Sequence, residues 1–284
     1  MAAEAEQEEG WLRGRDGTSL FWRAWTVPEP RCGVVVAHGL GEHSGRYSRL
    51  GRALNRRGIS CYAVDLRGMG RSAGRRGHLK AWSAWIDDYA DFLAFARDLA
   101  ESRALVPLGH SFGGVLVASA MLRGDVQAQR FVLSNPAFLP KVRVPAWKLR
   151  LAGAASRVVP RLTMSNEVQP EVISRDPEQV RIYADDPLTH DRISARLYTE
   201  WRAACVDTLG RASALRQPFL LLLSGDDRLI DVSGAEAFNA AASCGQVVRR
   251  YPGRFHEPFN DYGSEEVFAD LAAWLNAPVP ARPE

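Results

Sequence analysis

The sequence has almost no lysine: Lys80, Lys141 and Lys148 are three among 36 basic side chains, so nearly all its positive charge is arginine. That bias travels with many alanines and reads as overall composition, marking no site. Cysteine is sparse as well. Cys32, Cys61, Cys205 and Cys244 lie far apart and form no C-x-x-C pair, which argues against a structural zinc site or a disulfide framework and for free, buried thiols. No sign of charge dominates: 36 basic residues meet 33 acidic ones, leaving little case for disorder or a nucleic-acid-binding tail. Apolar stretches such as 218–223 fall far short of the roughly 20 residues of a membrane-crossing helix. The first ten residues are acidic and lack the basic start, apolar stretch and cleavage site of an exported precursor. The expectation is a cytoplasmic protein that can touch a membrane peripherally.

What is present is 46% hydrophobic residues over 284 positions, enough for one large core or two small ones. Short apolar runs at 20–25, 33–37, 59–64, 105–108, 131–134, 219–224 and 247–251 alternate with stretches of helical period. This predicts an α/β architecture of parallel strands joined by crossover helices. Trp82, Trp85, Ile86, Tyr89, Leu93 and Ala96 recur at spacings of three and four, and Val267, Leu271 and Trp274 do the same near the C-terminus; each set marks one apolar stripe of a helix. Between about 135 and 216 no convincing strand stands out, and two X-Pro steps, Asn135-Pro136 and Gln217-Pro218, bound the region. The predicted organisation is one discontinuous core, 11–134 and 217–276, with a helical cap inserted over 135–216.

Gly109-His110-Ser111-Phe112-Gly113 follows the strand at 105–108 and opens a helical stretch, 114–122. In that setting G-x-S-x-G is a nucleophile elbow, a sharp turn that strains the serine backbone and presents its Oγ. The plainer alternative is a glycine-rich turn with a capping serine. A serine hydroxyl needs a base, and here base and acid follow in the order Ser, Asp, His. His38, His43, His78 and His110 precede Ser111 and His190 lies in the insertion, so His256, after the strand at 247–251, is the candidate base. The loop Gly225-Asp226-Asp227-Arg228 offers two adjacent carboxylates, with Asp231 a third. The residues alone leave Asp226 and Asp227 even, because either can brace the loop. Charge developing on the substrate oxygen calls for two backbone N–H donors. Phe112 supplies one, and Leu40, in His38-Gly39-Leu40-Gly41 after the strand at 33–37, is placed for the other.

His38-Gly39-Leu40-Gly41-Glu42-His43-Ser44-Gly45-Arg46-Tyr47 and Gly109-His110-Ser111-Phe112-Gly113-Gly114 together resemble the monoacylglycerol lipase and lysophospholipase family of α/β-hydrolases. The likeness continues through Asp65-Leu66-Arg67-Gly68-Met69-Gly70-Arg71-Ser72, Asp186-Pro187-Leu188, Asp227-Arg228-Leu229 with Asp231, and His256-Glu257. It is weakest over 138–183. The resemblance implies an α/β-hydrolase fold, a mostly parallel central sheet flanked by helices with an inserted helical cap. It makes Asp227 the acid, Leu40 an oxyanion donor, and Glu42 and Arg46 the lining of the polar end of the pocket, while His43 becomes a structural loop residue. Some members carry a second histidine three residues after the catalytic one; Phe259 stands there, a departure that weakens the case for glycerol specificity.

The implied activity is a serine hydrolase cleaving fatty-acid esters, monoacylglycerols first, through an acyl-enzyme and with no metal or organic cofactor. A lysophospholipase or general carboxylesterase is the near alternative; a non-catalytic binding protein of the same fold and a peptidase are the distant ones. The implied partner is a small lipid ester, with no nucleic acid, and the sequence assigns no oligomeric state. The cap resembles a lid with an acyl tunnel. Its Val142, Val144, Trp147, Leu149, Leu151, Val158 and Val159 are interspersed with Lys141, Arg143, Lys148, Arg150, Arg157 and Arg161, a pattern that suits transient contact with an anionic lipid surface or a solvated lid face.

Overall fold

A computed structural model describes residues 6–100, 104–141 and 146–279. The side chains of 142–150, including the expected apolar Val142, Val144, Trp147 and Leu149 and basic Arg143, Lys148 and Arg150, lie outside the described residues. Strands β1 (Glu6–Arg13), β2 (Ser19–Thr26), β3 (Cys32–Ala37), β4 (Ile59–Val64), β5 (Leu105–His110) and β6 (Phe131–Ser134) come first. A short pair, β7 (Thr163–Ser165) and β8 (Arg192–Ser194), precedes β9 (Phe219–Ser224) and β10 (Val247–Tyr251). Helices α1 (Ser48–Asn55), α2 (Trp82–Leu99), α3 (Phe112–Arg123), α4 (Ala146–Val158), α5 (Pro177–Asp185), α6 (Ala195–Gly210), α7 (Val232–Ala241) and α8 (Ser264–Asn276) connect them.

The main sheet has eight strands in the order β1-β2-β4-β3-β5-β6-β9-β10. The β1–β2 and β2–β4 pairs are antiparallel and the rest parallel. All seven predicted strands are present. The inner strands are apolar throughout because helices cover both faces, and alternation sorts their side chains. Val35, Ala37, Tyr62 and Val64 join the cluster under α2, α3 and α7, whereas Val34, Val36, Cys61 and Ala63 join the one under α1 and α8.

Two features differ from expectation. The acidic start of the chain is strand β1, paired along its length with β2. Its charges have partners there: Glu9 reaches Arg23 at 3.4 Å and Arg71 at 3.1 Å, and Trp11 packs edge-on against Phe21. The insertion between β6 and β9 also holds a two-stranded antiparallel sheet, β7–β8, whose strands are separated in sequence by α5. Within it, α6 buries Leu197, Trp201, Ala204 and Cys205 in the same apolar cluster as α2 and α3, so this helix is built into the body of the molecule.

Candidate active site

Strand β5 runs directly into α3 through Ser111, whose backbone sits at φ 53°, ψ −120°. A non-glycine residue with positive φ is strained, and here the surroundings enforce it. The Ser111 N–H donates to the Ser134 carbonyl (3.0 Å), and its own carbonyl accepts from Ala137 (3.0 Å). The turn is tight enough that a Cβ on Gly113 would lie 2.0 Å from the Ala37 carbonyl oxygen, and one on Gly109 would lie 2.1 Å from that of Gly113. Ser111 therefore stands at the N-terminus of α3, where the helix dipole favours negative charge.

The loop after β3 lies against this elbow; a Cβ on Gly39 would come 3.2 Å from the Ser111 Cβ. The loop is pinned on both sides of the Leu40 N–H. Gly39 donates its N–H to Glu42 Oε1 (2.5 Å). The His38 ring bridges the Gly39 carbonyl (2.7 Å) and the Leu66 N–H (2.9 Å); since Nε2 accepts, Nδ1 carries the proton. On the far side, the Gly41 carbonyl accepts from the His190 N–H (2.8 Å), and His43 Nε2 pairs with Asp186 Oδ2 (2.8 Å). His43 thus ties the loop to the insertion. Phe112 stacks on Trp201 of α6 at 4.5 Å between ring centroids.

Strands β9 and β10 deliver the acid and the imidazole. His256 Nδ1 lies 2.6 Å from Asp227 Oδ2, and Asp227 Oδ1 accepts from the N–H groups of Leu229 and Ile230, each at 2.9 Å. Asp227 is 1% exposed. Asp226 is exposed and faces Arg228 at 3.6 Å, and Asp231 caps α7 through the Ser233 N–H. Of the three carboxylates, only Asp227 meets the imidazole. Burial alone would raise the Asp227 carboxyl pKa, but the charge and hydrogen bond of His256, with the two backbone N–H groups, hold it below its usual range. Burial would likewise lower the His256 pKa, yet Asp227 lifts it above the ordinary 6.5. Among the described residues no hydrogen bond joins the Ser111 hydroxyl to this ring; such contacts are often long without substrate and shorten when it binds.

Several positioning residues had no signal in the sequence. Asn135, which reads only as a boundary before Pro136, has φ 40° and bridges three elements. Its Nδ2 donates to Ser224 Oγ (2.8 Å) and the His256 carbonyl (2.7 Å), and its Oδ1 accepts the Ser224 N–H. Asp261, fully buried, accepts the Phe255 N–H at 2.9 Å and the Arg175 Nε at 3.0 Å, bracing the histidine loop. His110 packs beside His256 at 4.9 Å between centroids; burial, then His256, depress its pKa to about 3, so it remains neutral.

Glu42 and Arg46, expected at the polar end of the pocket, are buried and face each other. Arg46 Nη2 donates to Glu257 Oε2 (2.5 Å), its Nε lies 3.4 Å from Glu42 Oε2, and its guanidinium covers the Tyr183 ring. Glu42 also accepts from the Tyr47 hydroxyl (2.9 Å) and Glu257 from Asn260 Nδ2 (2.9 Å). Phe259 is buried against His110 and Phe268. Among the described residues, no group of three His, Cys, Asp or Glu could hold a metal ion.

The pattern of the family described as "serine aminopeptidase, S33" matches residues 28–263 of the chain. The chain belongs to this S33 family. A monoacylglycerol lipase of Mycolicibacterium smegmatis is 32% identical over 92% of the chain and 94% of its own length. A Bacillus subtilis phospholipase is 27% identical over 89% and 98% respectively. The crystal structure of Paleococcus ferrophilus monoacylglycerol lipase superposes with a TM-score of 0.82 at 31% identity, covering 90% of this chain and 98% of that one. Each of these likenesses covers 89% or more of the chain.

Proposed function

We propose that this S33 member is a serine hydrolase cleaving carboxylic esters of fatty acids, with monoacylglycerols as the first substrate class. The observation that carries the reading is the buried His256–Asp227 pair set beside a strained serine at a helix N-terminus. The relatives named monoacylglycerol lipase support the substrate class, and the phospholipase relative keeps lysophospholipids as the nearest rival.

In the proposed reaction Ser111 Oγ attacks the ester carbonyl carbon while His256 Nε2 takes its proton. Asp227 holds the ring in the tautomer with Nδ1 protonated and stabilises the imidazolium that forms. The oxygen, now negative, is held by the N–H groups of Leu40 and Phe112. Collapse expels the alcohol, which takes the proton from His256, and leaves an acyl-serine. Water, activated by the same imidazole, releases the fatty acid and restores Ser111. These steps use the protein's own side chains and backbone N–H groups together with one water molecule.

We assign Glu42 and Arg46 an indirect part, in place of the substrate contact the resemblance implied. Glu42 holds the oxyanion loop, and Arg46 joins it to Glu257 beside His256. The proposed division keeps 11–134 and 217–276 as the core and 135–216 as the cap, supported by the position of α4, α5 and α6 between β6 and β9. A reducing, cytoplasmic setting is supported by four buried, free cysteines. Among the described residues, no helix is long and apolar enough to cross a membrane.

The test is turnover of p-nitrophenyl esters, monoacylglycerols and lysophospholipids by the purified protein and by Ser111→Ala, with fluorophosphonate labelling alongside. Ser111→Ala is expected to lose both turnover and label. Undiminished turnover in that variant would end the proposal, and a wild-type protein that takes no label would point to a binding module.

A further inference from the structure

The insertion is bonded to every loop that carries a residue of the site. On the acid loop, the Lys141 N–H donates to the Leu229 carbonyl (2.9 Å) and the Leu139 carbonyl accepts the Asp231 N–H (2.8 Å). On the oxyanion loop, the Gly41 carbonyl accepts the His190 N–H. The densest set of bonds is on the histidine loop. It comes from residues 173–175, a short stretch between a single 3-10 turn (Pro170–Val172) and α5.

Those bonds fall on both sides of His256. The residue after it, Glu257, donates its N–H to the Ile173 carbonyl (2.8 Å). The residue before it, Phe255, donates its N–H to Asp261 Oδ2 (2.9 Å), and the same oxygen accepts Arg175 Nε (3.0 Å). Asp261 Oδ1 takes the backbone N–H groups of Arg175 (3.0 Å) and Tyr262 (2.8 Å). Arg175 Nη2 donates to the Tyr262 carbonyl (3.0 Å), and Ser174 Oγ to the Asn260 carbonyl (2.8 Å). Asp261 is fully buried, and among the described residues Arg175 is the one cation within 4 Å of it. A carboxylate removed from water needs a counter-charge and hydrogen-bond donors; the insertion supplies the first and part of the second.

A catalytic ring has to be held within about 0.5 Å of its working position. A loop achieves that only when the peptide groups around the ring are fixed. Asn135 holds the His256 carbonyl (2.7 Å), and the two neighbouring residues are held by the Ile173 carbonyl and by the Asp261 carboxylate that Arg175 anchors. We propose that 173–175 is a positioning strap for His256: through Arg175, Asp261 and the Ile173 carbonyl, the insertion sets the angle at which the imidazole faces Ser111 and Asp227. The strap acts through His256 and not on the substrate. It rests on the reading of His256 as the base of an ester hydrolase, and it gives the insertion a part in the chemistry distinct from covering the site or holding an acyl chain.

Arg175→Gln alone would strand the buried Asp261 carboxylate, so the test uses Arg175→Gln combined with Asp261→Asn, which removes both charges. Because Oδ1 serves two N–H donors, the asparagine carbonyl takes its place and the NH2 turns toward the Phe255 N–H, which loses its acceptor. The measurements are kcat and KM for p-nitrophenyl acetate and p-nitrophenyl dodecanoate, with circular dichroism to verify folding. Misplacing a catalytic group by about 1 Å costs on the order of 100-fold, so kcat should fall at least about tenfold on both esters while KM stays within about twofold. Arg181→Gln, which removes an exposed cation of α5 paired with Glu178 and Asp185, is the control and should leave both constants within about twofold. If the double variant does not fold, Arg175→Lys decides: it keeps a cation beside Asp261 but lacks the planar fork that spans both carboxylate oxygens and the Tyr262 carbonyl, and should lose about fivefold in kcat.

A folded double variant that loses less than about tenfold in kcat overturns the proposal, and in its place so does an Arg175→Lys protein with wild-type kcat. An effect confined to KM for the dodecanoate overturns it as well, since the segment would then belong to the acyl site, as does an equal loss in Arg181→Gln. The proton that His256 Nδ1 donates to Asp227, observed by NMR, gives a readout that needs no turnover; its downfield resonance should be present in the wild type and lost in the double variant. A wild type that hydrolyses no ester, but whose resonance is lost in the double variant, defeats the catalytic reading and leaves the strap standing. An active wild type whose double variant keeps both resonance and kcat defeats the strap alone.

Discussion

Replacing Asp227 with asparagine alters one terminal group and is expected to remove nearly all turnover. The structure dictates how the amide must sit. Oδ1 of Asp227 accepts the N–H groups of Leu229 and Ile230, each at 2.9 Å, while Oδ2 meets His256 Nδ1 at 2.6 Å. Two N–H donors require an acceptor, so the asparagine carbonyl takes the Oδ1 position and the NH2 turns to the ring. Nδ1 must then accept, its proton moves to Nε2, and the nitrogen meant to receive the serine proton already carries one. The loss expected for such a tautomer change is about 10,000-fold in kcat, or roughly 5.5 kcal/mol of transition-state stabilisation.

The pH profile carries the same logic. Turnover needs neutral His256, whose pKa Asp227 raises above 6.5 against the effect of burial. Wild-type activity should therefore fall as pH drops through that raised value, with the acid limb above 6.5. Residual activity of the Asp227→Asn protein should extend to lower pH, because the carboxylate no longer favours the imidazolium. Exposed Asp226 is the control, and Asp226→Asn should change kcat by no more than about twofold. The assay is p-nitrophenyl ester turnover from about pH 5 to 9, which spans the titration of histidine, with circular dichroism to verify folding. A folded Asp227→Asn protein retaining a tenth of wild-type kcat, or an Asp226→Asn protein losing as much, would refute the reasoning.

Gly113→Ala should destabilise the fold by about 3 kcal/mol, because its Cβ would meet the carbonyl oxygens of Ala37 and His38 at 2.0 and 2.6 Å and neither is free to move. A urea midpoint within error of the wild type would contradict that account. Arg46→Gln leaves Glu42 and Glu257 buried without their shared cation, which should cost about 3–5 kcal/mol of stability. It should lower kcat on short and long esters alike; a KM effect confined to monoacylglycerols would instead restore the direct substrate contact.

Legibility in the sequence followed how local each feature is. The inner strands and α2 announce themselves because burial on one or both faces imposes a period on neighbouring residues. The elbow is legible for a related reason: its glycines are spaced by the steric needs of a single turn. Strand β1 is illegible, since its acidic residues make a strand only when β2 supplies the hydrogen bonds and Arg23 and Arg71 the counter-charges. The β7–β8 pair escapes notice because three-residue strands are too short to show alternation and α5 separates them in sequence.

By itself the sequence determined the α/β order, the serine at a strand-to-helix turn, the late histidine and a pair of candidate acids. Composition and position left Asp226 and Asp227 even and the family resemblance favoured Asp227; the tertiary structure adds the physical reason, since adjacent residues differ in which way each points once β9 and β10 lie side by side, and Asp227 is the one that meets His256. The tertiary structure also turned Glu42 and Arg46 inward and brought Asn135 under the histidine loop. Buried polar groups need partners, and those partners lie far away along the chain: 121 residues separate Asn135 from His256, and 211 separate Arg46 from Glu257. No local pattern encodes pairings at such separations; packing of the whole sheet and its loops does.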